Sequence, residues 1–139
     1  MSAIEPHVRS KQILVVDDDD DEREVIEEVL EGAGFSVSKA CNGKLALDLM
    51  RASSDIGLVV LDLEMPVMSG IELLACMKAD ERLRSVPVLI LSGTDKSKAP
   101  TGRPVIEFIS KPCDMARFVR SVSACIERDD GVVAATPRP

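Results

Sequence analysis

The stretch Ile13-Leu-Val-Val-Asp-Asp18 joins a continuous apolar run to two carboxylates. A β-branched run without a polar face is typical of a strand that is buried on both sides, as in a parallel sheet covered by helices. The pattern returns in residues 58–61, which precede Asp62, and in residues 88–91, which precede Ser92. The sequence therefore predicts a central sheet whose strands end in polar residues.

Helical patterns separate the apolar runs, and two shorter runs at 35–38 and 105–109 add a second and a fifth strand. Residues 20–22 are acidic, which suits a helix N-terminus, and Asn42 can cap the next helix. Apolar residues that mark the four helices are Val25, Ile26, Val29, Leu30 and Ala33; Leu45, Leu49 and Met50; Ile71, Leu74 and Met77; and Met115, Phe118, Val119, Val122 and Ile126. In the third of these helices we expect Ile71, Leu74 and Met77 to face inward. Alternating strands and helices with right-handed crossovers predict an α/β fold, a doubly wound (βα)5 parallel sheet.

Length and charge narrow the possible functions. The 139 residues suggest a single domain, with 17 basic against 24 acidic side chains and a net charge of −7. Such a field repels phosphate backbones and anionic lipid, so we expect no direct nucleic-acid partner and no membrane partner. The 4 cysteines form no CxxC pair, which favours reduced thiols and a cytoplasmic protein. We expect a folded domain over residues 11–128 and flexible tails at 1–10 and 129–139.

The polar residues that follow the strands converge on one rim, because the carboxyl ends of parallel strands lie at the same sheet edge. Three carboxylates come from Asp17, Asp18 and Asp62, a hydroxyl comes from Ser92 and an ammonium from Lys111. Crowded carboxylates need a cation, and hard oxygen ligands suit Mg²⁺. A carboxylate beside such a cation can attack a phosphoryl group whose oxygens are stabilised by positive charge. The pattern predicts a phospho-aspartate site.

At these residues the chain resembles the receiver domain of two-component response regulators. The matching stretches are Ile13 to Asp18, residues 60–66 with Ser69-Gly70, residues 87–93 and residues 108–112. The resemblance implies that Asp62 is the phosphoacceptor and that Asp17, Asp18 and Asp62 hold Mg²⁺ together with the backbone carbonyl of Glu64. It also implies that Lys111 contacts the phosphoryl group, that Ser92 and Phe108 form a switch pair, and that the bond before Pro112 is cis. The implied fold is flavodoxin-like, with strand order 2-1-3-4-5.

The resemblance further implies a phosphoryl donor, which is a sensor histidine kinase or a histidine phosphotransfer protein, and a downstream protein target of unknown identity. Because the chain is too short for a second, DNA-reading module, we expect a stand-alone regulator that signals through partner binding or onward phosphotransfer. Such a protein is not an enzyme in the usual sense, since it catalyses only its own phosphorylation and dephosphorylation.

One segment departs from the family pattern, between the fourth and fifth strands. Residues 94–104 contain Pro100, Gly102 and Pro104, and Ala99 is their only apolar residue. Proline and glycine disfavour a helix there, and an amphipathic helix needs an apolar stripe. We expect the family's helix at this place to be missing or reduced to one turn, leaving a mobile loop beside Phe108.

Two other functions share parts of this pattern. Asp62-Leu63-Glu64 imitates the nucleophile and second acid of a haloacid-dehalogenase-like phosphatase, although that family normally has Asp at the second position and needs a cap that this chain lacks. A pseudo-receiver would bind a partner without phosphorylation, and the intact acidic pair with Asp62 and Lys111 disfavours it.

Overall fold

Five parallel strands form one sheet in the computed structural model, which describes residues 11–130. The strand order is β2-β1-β3-β4-β5, so the predicted flavodoxin-like fold class is confirmed. The strands are β1 (Gln12–Val16), β2 (Ser36–Ala40), β3 (Ile56–Leu61), β4 (Val88–Ser92) and β5 (Val105–Ser110). The helices are α1 (Asp20–Gly32), α2 (Gly43–Ala52), α3 (Gly70–Ala79) and α4 (Met115–Asp130), with short 3-10 turns at Leu83–Ser85 and Lys96–Lys98.

Two apolar cores cover the two faces of the sheet. On one face Ile13 and Val15 pack with residues of α1 and α4, among them Ile26, Leu30 and Phe118. On the other face Leu14 and Val16 pack with residues of α2 and α3. Successive side chains of a strand point to opposite faces, so a central strand needs apolar residues at every position. This explains why residues 13–16 of β1 do not alternate between apolar and polar side chains.

The sheet-facing sides of the helices differ from the predicted ones at several positions. Ile71 of α3 is exposed, so the prediction that it faces inward was wrong. Val25 of α1 and Leu45 and Leu49 of α2, which follow the helical apolar pattern, are exposed as well. The buried residues of α2 are instead Gly43, Ala46, Leu47 and Met50. The N–H of Gly43 donates to the carbonyl of Met68 at 3.0 Å, a close approach that a side chain at residue 43 would prevent. Gly43 and Ala46 therefore share the buried side of α2 with Leu47 and Met50, and a search for large apolar residues misses these two small ones.

The segment between β4 and β5 contains a single 3-10 turn at Lys96–Lys98 and no α-helix, as predicted. Asp95 caps this turn by accepting a hydrogen bond from the N–H of Ser97 at 3.0 Å. Ala99 packs against the core on the α2 and α3 side. The shortened helix therefore follows from the local chemistry of residues 94–104.

Helix α4 continues to Asp130, beyond the predicted domain boundary at residue 128. The predicted flexibility of residues 1–10 and 131–139 lies outside the described residues. Within residues 11–130, no helix is both long and apolar enough to cross a membrane.

Candidate functional site

Three carboxylates meet where β1 and β3 end. The N–H of Asp17 donates to the carbonyl of Ala40 at 3.2 Å, and the N–H of Asp62 donates to the carbonyl of Val16 at 3.0 Å. Sheet-like hydrogen bonding thus continues past both strands and holds the two residues at the rim. Ligand oxygens of Asp17, Asp18 and Asp62 lie within 4.8 Å of one another. Asp17 and Asp62 are buried, whereas Asp18 is exposed.

One oxygen of each buried carboxylate is held by its own loop. Asp17 Oδ1 accepts the N–H of Asp19 at 2.9 Å, and Asp62 Oδ1 accepts the N–H of Glu64 at 3.2 Å. The Arg23 guanidinium donates to the backbone carbonyl of Asp17 at 2.7 Å. These bonds orient both side chains so that each second oxygen, Oδ2, contacts Lys111.

Lys111 follows β5, and its N–H donates to the carbonyl of Ser92 at 2.9 Å. Its ammonium lies 3.3 Å from Asp17 Oδ2 and 3.4 Å from Asp62 Oδ2. The bond between Lys111 and Pro112 is cis, as predicted. The structure therefore brings together the lysine and the carboxylates that the sequence placed at this rim.

Glu22 is an additional member of this cluster, which the sequence pattern indicated only as part of the acidic helix N-terminus at residues 20–22. Its Oε1 lies 2.8 Å from the Lys111 ammonium. The helical spacing could have indicated this position, because Glu22 precedes the buried residues Ile26 and Leu30 by about one and two turns. It therefore lies on the sheet-facing side of α1.

The electrostatics of the cluster suit a bound cation. Burial raises the pKa of Asp17 to about 6, and the neighbouring carboxylates Asp62 and Glu22 add to this, although the Asp19 N–H and Lys111 oppose it. Burial alone would lower the pKa of Lys111, but the hydrogen bond that its ammonium donates to Glu22 and the charges of Asp17 and Asp62 raise the pKa overall. One ammonium thus faces an excess of negative charge. Three carboxylates with oxygen donors at this spacing fit a hard divalent ion such as Mg²⁺.

Ser92 is fully buried at the end of β4, and its hydroxyl is already engaged. It donates to Thr94 Oγ1 at 3.1 Å and accepts the Thr94 N–H at 3.1 Å. Thr94 Oγ1 in turn donates to the Glu64 carboxylate at 3.1 Å. Phe108 is half-buried against the core on the α2 and α3 side. The sequence did not reveal the part that Thr94 and the Glu64 side chain take in this network, because both are ordinary loop residues by pattern.

The model of the response regulator receiver domain family matches residues 13–123. The chain belongs to this family. The match includes both acidic loops, β4 with Ser92, and β5 with Lys111.

Proteins similar to this receiver come from plants and bacteria. The two-component response regulator ORR5 of Oryza sativa is 37% identical over 92 residues, which are 66% of this chain and 65% of that protein. The chain thus spans slightly under two thirds of that relative. The polar-differentiation response regulator DivK of Brucella anthropi is 27% identical over 118 residues, 82% of this chain and 94% of that one. The structure of response regulator TrrA from Thermotoga maritima, solved with Mg²⁺ and BeF, superposes with a TM-score of 0.74 at 27% identity, over 83% of this receiver and 98% of that chain.

The loop that follows Asp62 in this receiver is held by a capping box at the start of α3. Ser69 Oγ accepts the N–H of Glu72 at 3.2 Å, and Glu72 Oε1 accepts the N–H of Ser69 at 2.9 Å. Gly70 donates its N–H to the carbonyl of Leu63 at 3.0 Å. These bonds tie the start of α3 to the residue directly after Asp62.

Val67 in this loop has a φ of 69° and an exposure of 78%. A β-branched side chain is strained in the left-handed region and gains little from burial here. We expect Val67→Gly to raise the free energy of unfolding by about 1 kcal/mol, measured by urea denaturation. The same substitution at exposed Val25, inside helix α1, should lower the free energy of unfolding by about 0.5 kcal/mol because glycine is a poor helix former. Equal effects at both positions would contradict the strain at Val67.

Proposed function

We propose that this receiver takes a phosphoryl group onto Asp62 in a Mg²⁺-dependent reaction, from a phosphohistidine of a sensor kinase or of a phosphotransfer protein. The observation that carries the proposal is the position of Asp62, a buried carboxylate that shares one rim with Asp17, Asp18 and the Lys111 ammonium. Such a carboxylate is a nucleophile beside the charges that a phosphoryl group requires.

The residues divide the work as follows. Asp17, Asp18 and Asp62, with the backbone carbonyl of Glu64, would hold Mg²⁺, which when bound supplies positive charge to the phosphoryl oxygens. An Asp62 oxygen forms a bond to phosphorus while the bond from phosphorus to the histidine nitrogen breaks, and the electron pair leaves with the imidazole. Lys111 donates a hydrogen bond to a phosphoryl oxygen as charge moves onto it.

Signal output in this proposal begins at Ser92 and Phe108. The Ser92 hydroxyl leaves Thr94 for a phosphoryl oxygen, which gives it a charge-assisted hydrogen bond. The Phe108 ring then moves inward, where it gains apolar burial. Since residues 94–104 carry only one 3-10 turn, the surface that a full helix would form there is absent. Partner contact shifts toward α1, α4 and the loops of the acidic rim.

The test uses acetyl phosphate with MgCl₂ and intact-mass spectrometry. We expect the mass of one phosphoryl group to appear, and we expect a metal chelator to prevent this. The receiver should not turn over p-nitrophenyl phosphate, since it is proposed to catalyse only its own phosphorylation and dephosphorylation. Steady turnover of that ester would indicate a phosphatase instead, and a chain that is neither labelled nor active would be a pseudo-receiver.

A further inference from the structure

Among residues 11–130, three carboxylates neighbour the Lys111 ammonium, and the nearest is the one that the proposed phosphorylation does not use. Its distance to Glu22 is 2.8 Å, against 3.3 Å to Asp17 and 3.4 Å to Asp62. A charge-assisted N–H to O bond is strongest at about 2.7–2.9 Å. Only the contact with Glu22 falls in that range, so Glu22 holds the ammonium more firmly than the two aspartates do.

Partial burial strengthens the ion pair between Lys111 and Glu22. The Lys111 side chain is only 19% exposed, and the Glu22 side chain is 38% exposed. Partial shielding from water makes the pair stronger than a typical surface ion pair. Glu22 is also anchored by its helix, because α1 packs its buried face against the sheet through Ile26 and Leu30. The helix therefore holds the backbone of Glu22 beside Lys111.

We propose that Glu22 is a positioning residue that restrains Lys111 and offsets its charge, and thereby limits the rate at which Asp62 is phosphorylated. The inference rests on the proposed function. An incoming phosphoryl group needs the positive charge of Lys111 at its oxygens, and a carboxylate at 2.8 Å cancels part of that charge. The ammonium must also loosen its strongest bond in order to move toward the phosphoryl group.

The decisive variant is Glu22→Gln, which keeps a hydrogen-bond acceptor and removes the charge. With acetyl phosphate at saturating Mg²⁺, we expect phosphorylation of Asp62 to become about three- to tenfold faster, the range expected when one partly shielded ion pair is released. Glu24→Gln is the matched control, because Glu24 is an exposed acid on the same helix. It removes the same charge from the chain and should leave the rate unchanged.

A double-mutant cycle separates action through Lys111 from a general loss of negative charge. In a Lys111→Met background, Glu22→Gln should no longer change the phosphorylation rate. The thermal shift produced by beryllofluoride with Mg²⁺ gives a second measurement that needs no turnover. By that measurement the Glu22→Gln variant should bind beryllofluoride more tightly than the wild type does. In the Lys111→Met background, Glu22→Gln should not change the affinity for beryllofluoride. Melting curves without ligand confirm that each variant is folded.

The outcomes distinguish this inference from the proposed function. A wild-type protein that acetyl phosphate does not label would overturn the proposed function itself. If the wild type is labelled but Glu22→Gln is phosphorylated no faster than Glu24→Gln, only the role of Glu22 would be overturned. An equal acceleration by Glu22→Gln with and without Lys111 would also overturn it, because the carboxylate would then act by repelling the anionic donor directly.

Discussion

Asp62→Asn is expected to lower the phosphorylation rate by at least about a thousandfold, because an amide oxygen is a far weaker nucleophile than a carboxylate. The substitution keeps the shape of the side chain, and the amide oxygen can still accept the Glu64 N–H that now binds Asp62 Oδ1. Folding should therefore be preserved, and the loss should be chemical. Intact-mass spectrometry after treatment with acetyl phosphate and Mg²⁺ measures it directly.

Asp21→Asn provides the matched control for this prediction. Asp21 is an exposed acid of α1 close in sequence to the site, and it is outside the carboxylate cluster. Its replacement removes one charge and should leave labelling intact. If Asp62→Asn were still labelled at the wild-type rate, the acceptor would be another residue, and the proposed role of Asp62 would be wrong.

Gly70→Ala is expected to lower the free energy of unfolding by about 2–3 kcal/mol, the cost of forcing extra volume into a packed contact. A Cβ atom at residue 70 would lie 2.6 Å from the carbonyl oxygen of Asp62 and 2.7 Å from the Cα atom of Leu63. Both are backbone atoms, so no rotamer change can relieve the overlap. Either α3 moves away from the sheet or the loop after Asp62 shifts, and phosphorylation should slow as well.

Gly32→Ala is the control for Gly70→Ala. Gly32 is the last residue of α1, and a Cβ there would meet no atom within 4 Å. The substitution should raise the free energy of unfolding by about 0.5 kcal/mol through the better helix propensity of alanine. Urea denaturation of both variants compares them. A Gly70→Ala protein as stable and as readily phosphorylated as the wild type would contradict the close packing of α3 on the loop after Asp62.

Several features of this receiver could be predicted from the sequence because their causes are local. The apolar stretch before Asp17 has no polar face, which is typical of a strand buried on both sides, and Asp62 follows a second such strand. Parallel strands bring their carboxyl ends to one edge of the sheet, so the sequence alone predicted that Asp17, Asp62 and Lys111 lie close together. The single turn at Lys96–Lys98 likewise follows from the prolines and glycine of residues 94–104.

Other features depended on tertiary packing. The leucines of α2 at residues 45 and 49 look like core positions, yet both are exposed, and the buried side of α2 consists of Gly43, Ala46, Leu47 and Met50. At Gly43 the close approach of the Met68 backbone leaves no room for a side chain. The contact of Glu22 with Lys111 joins residues 89 positions apart, and it forms only once α1 and β5 have docked on the same sheet. A sequence pattern indicates which residues are apolar or charged, whereas the packing of helices on the sheet decides which of them meet.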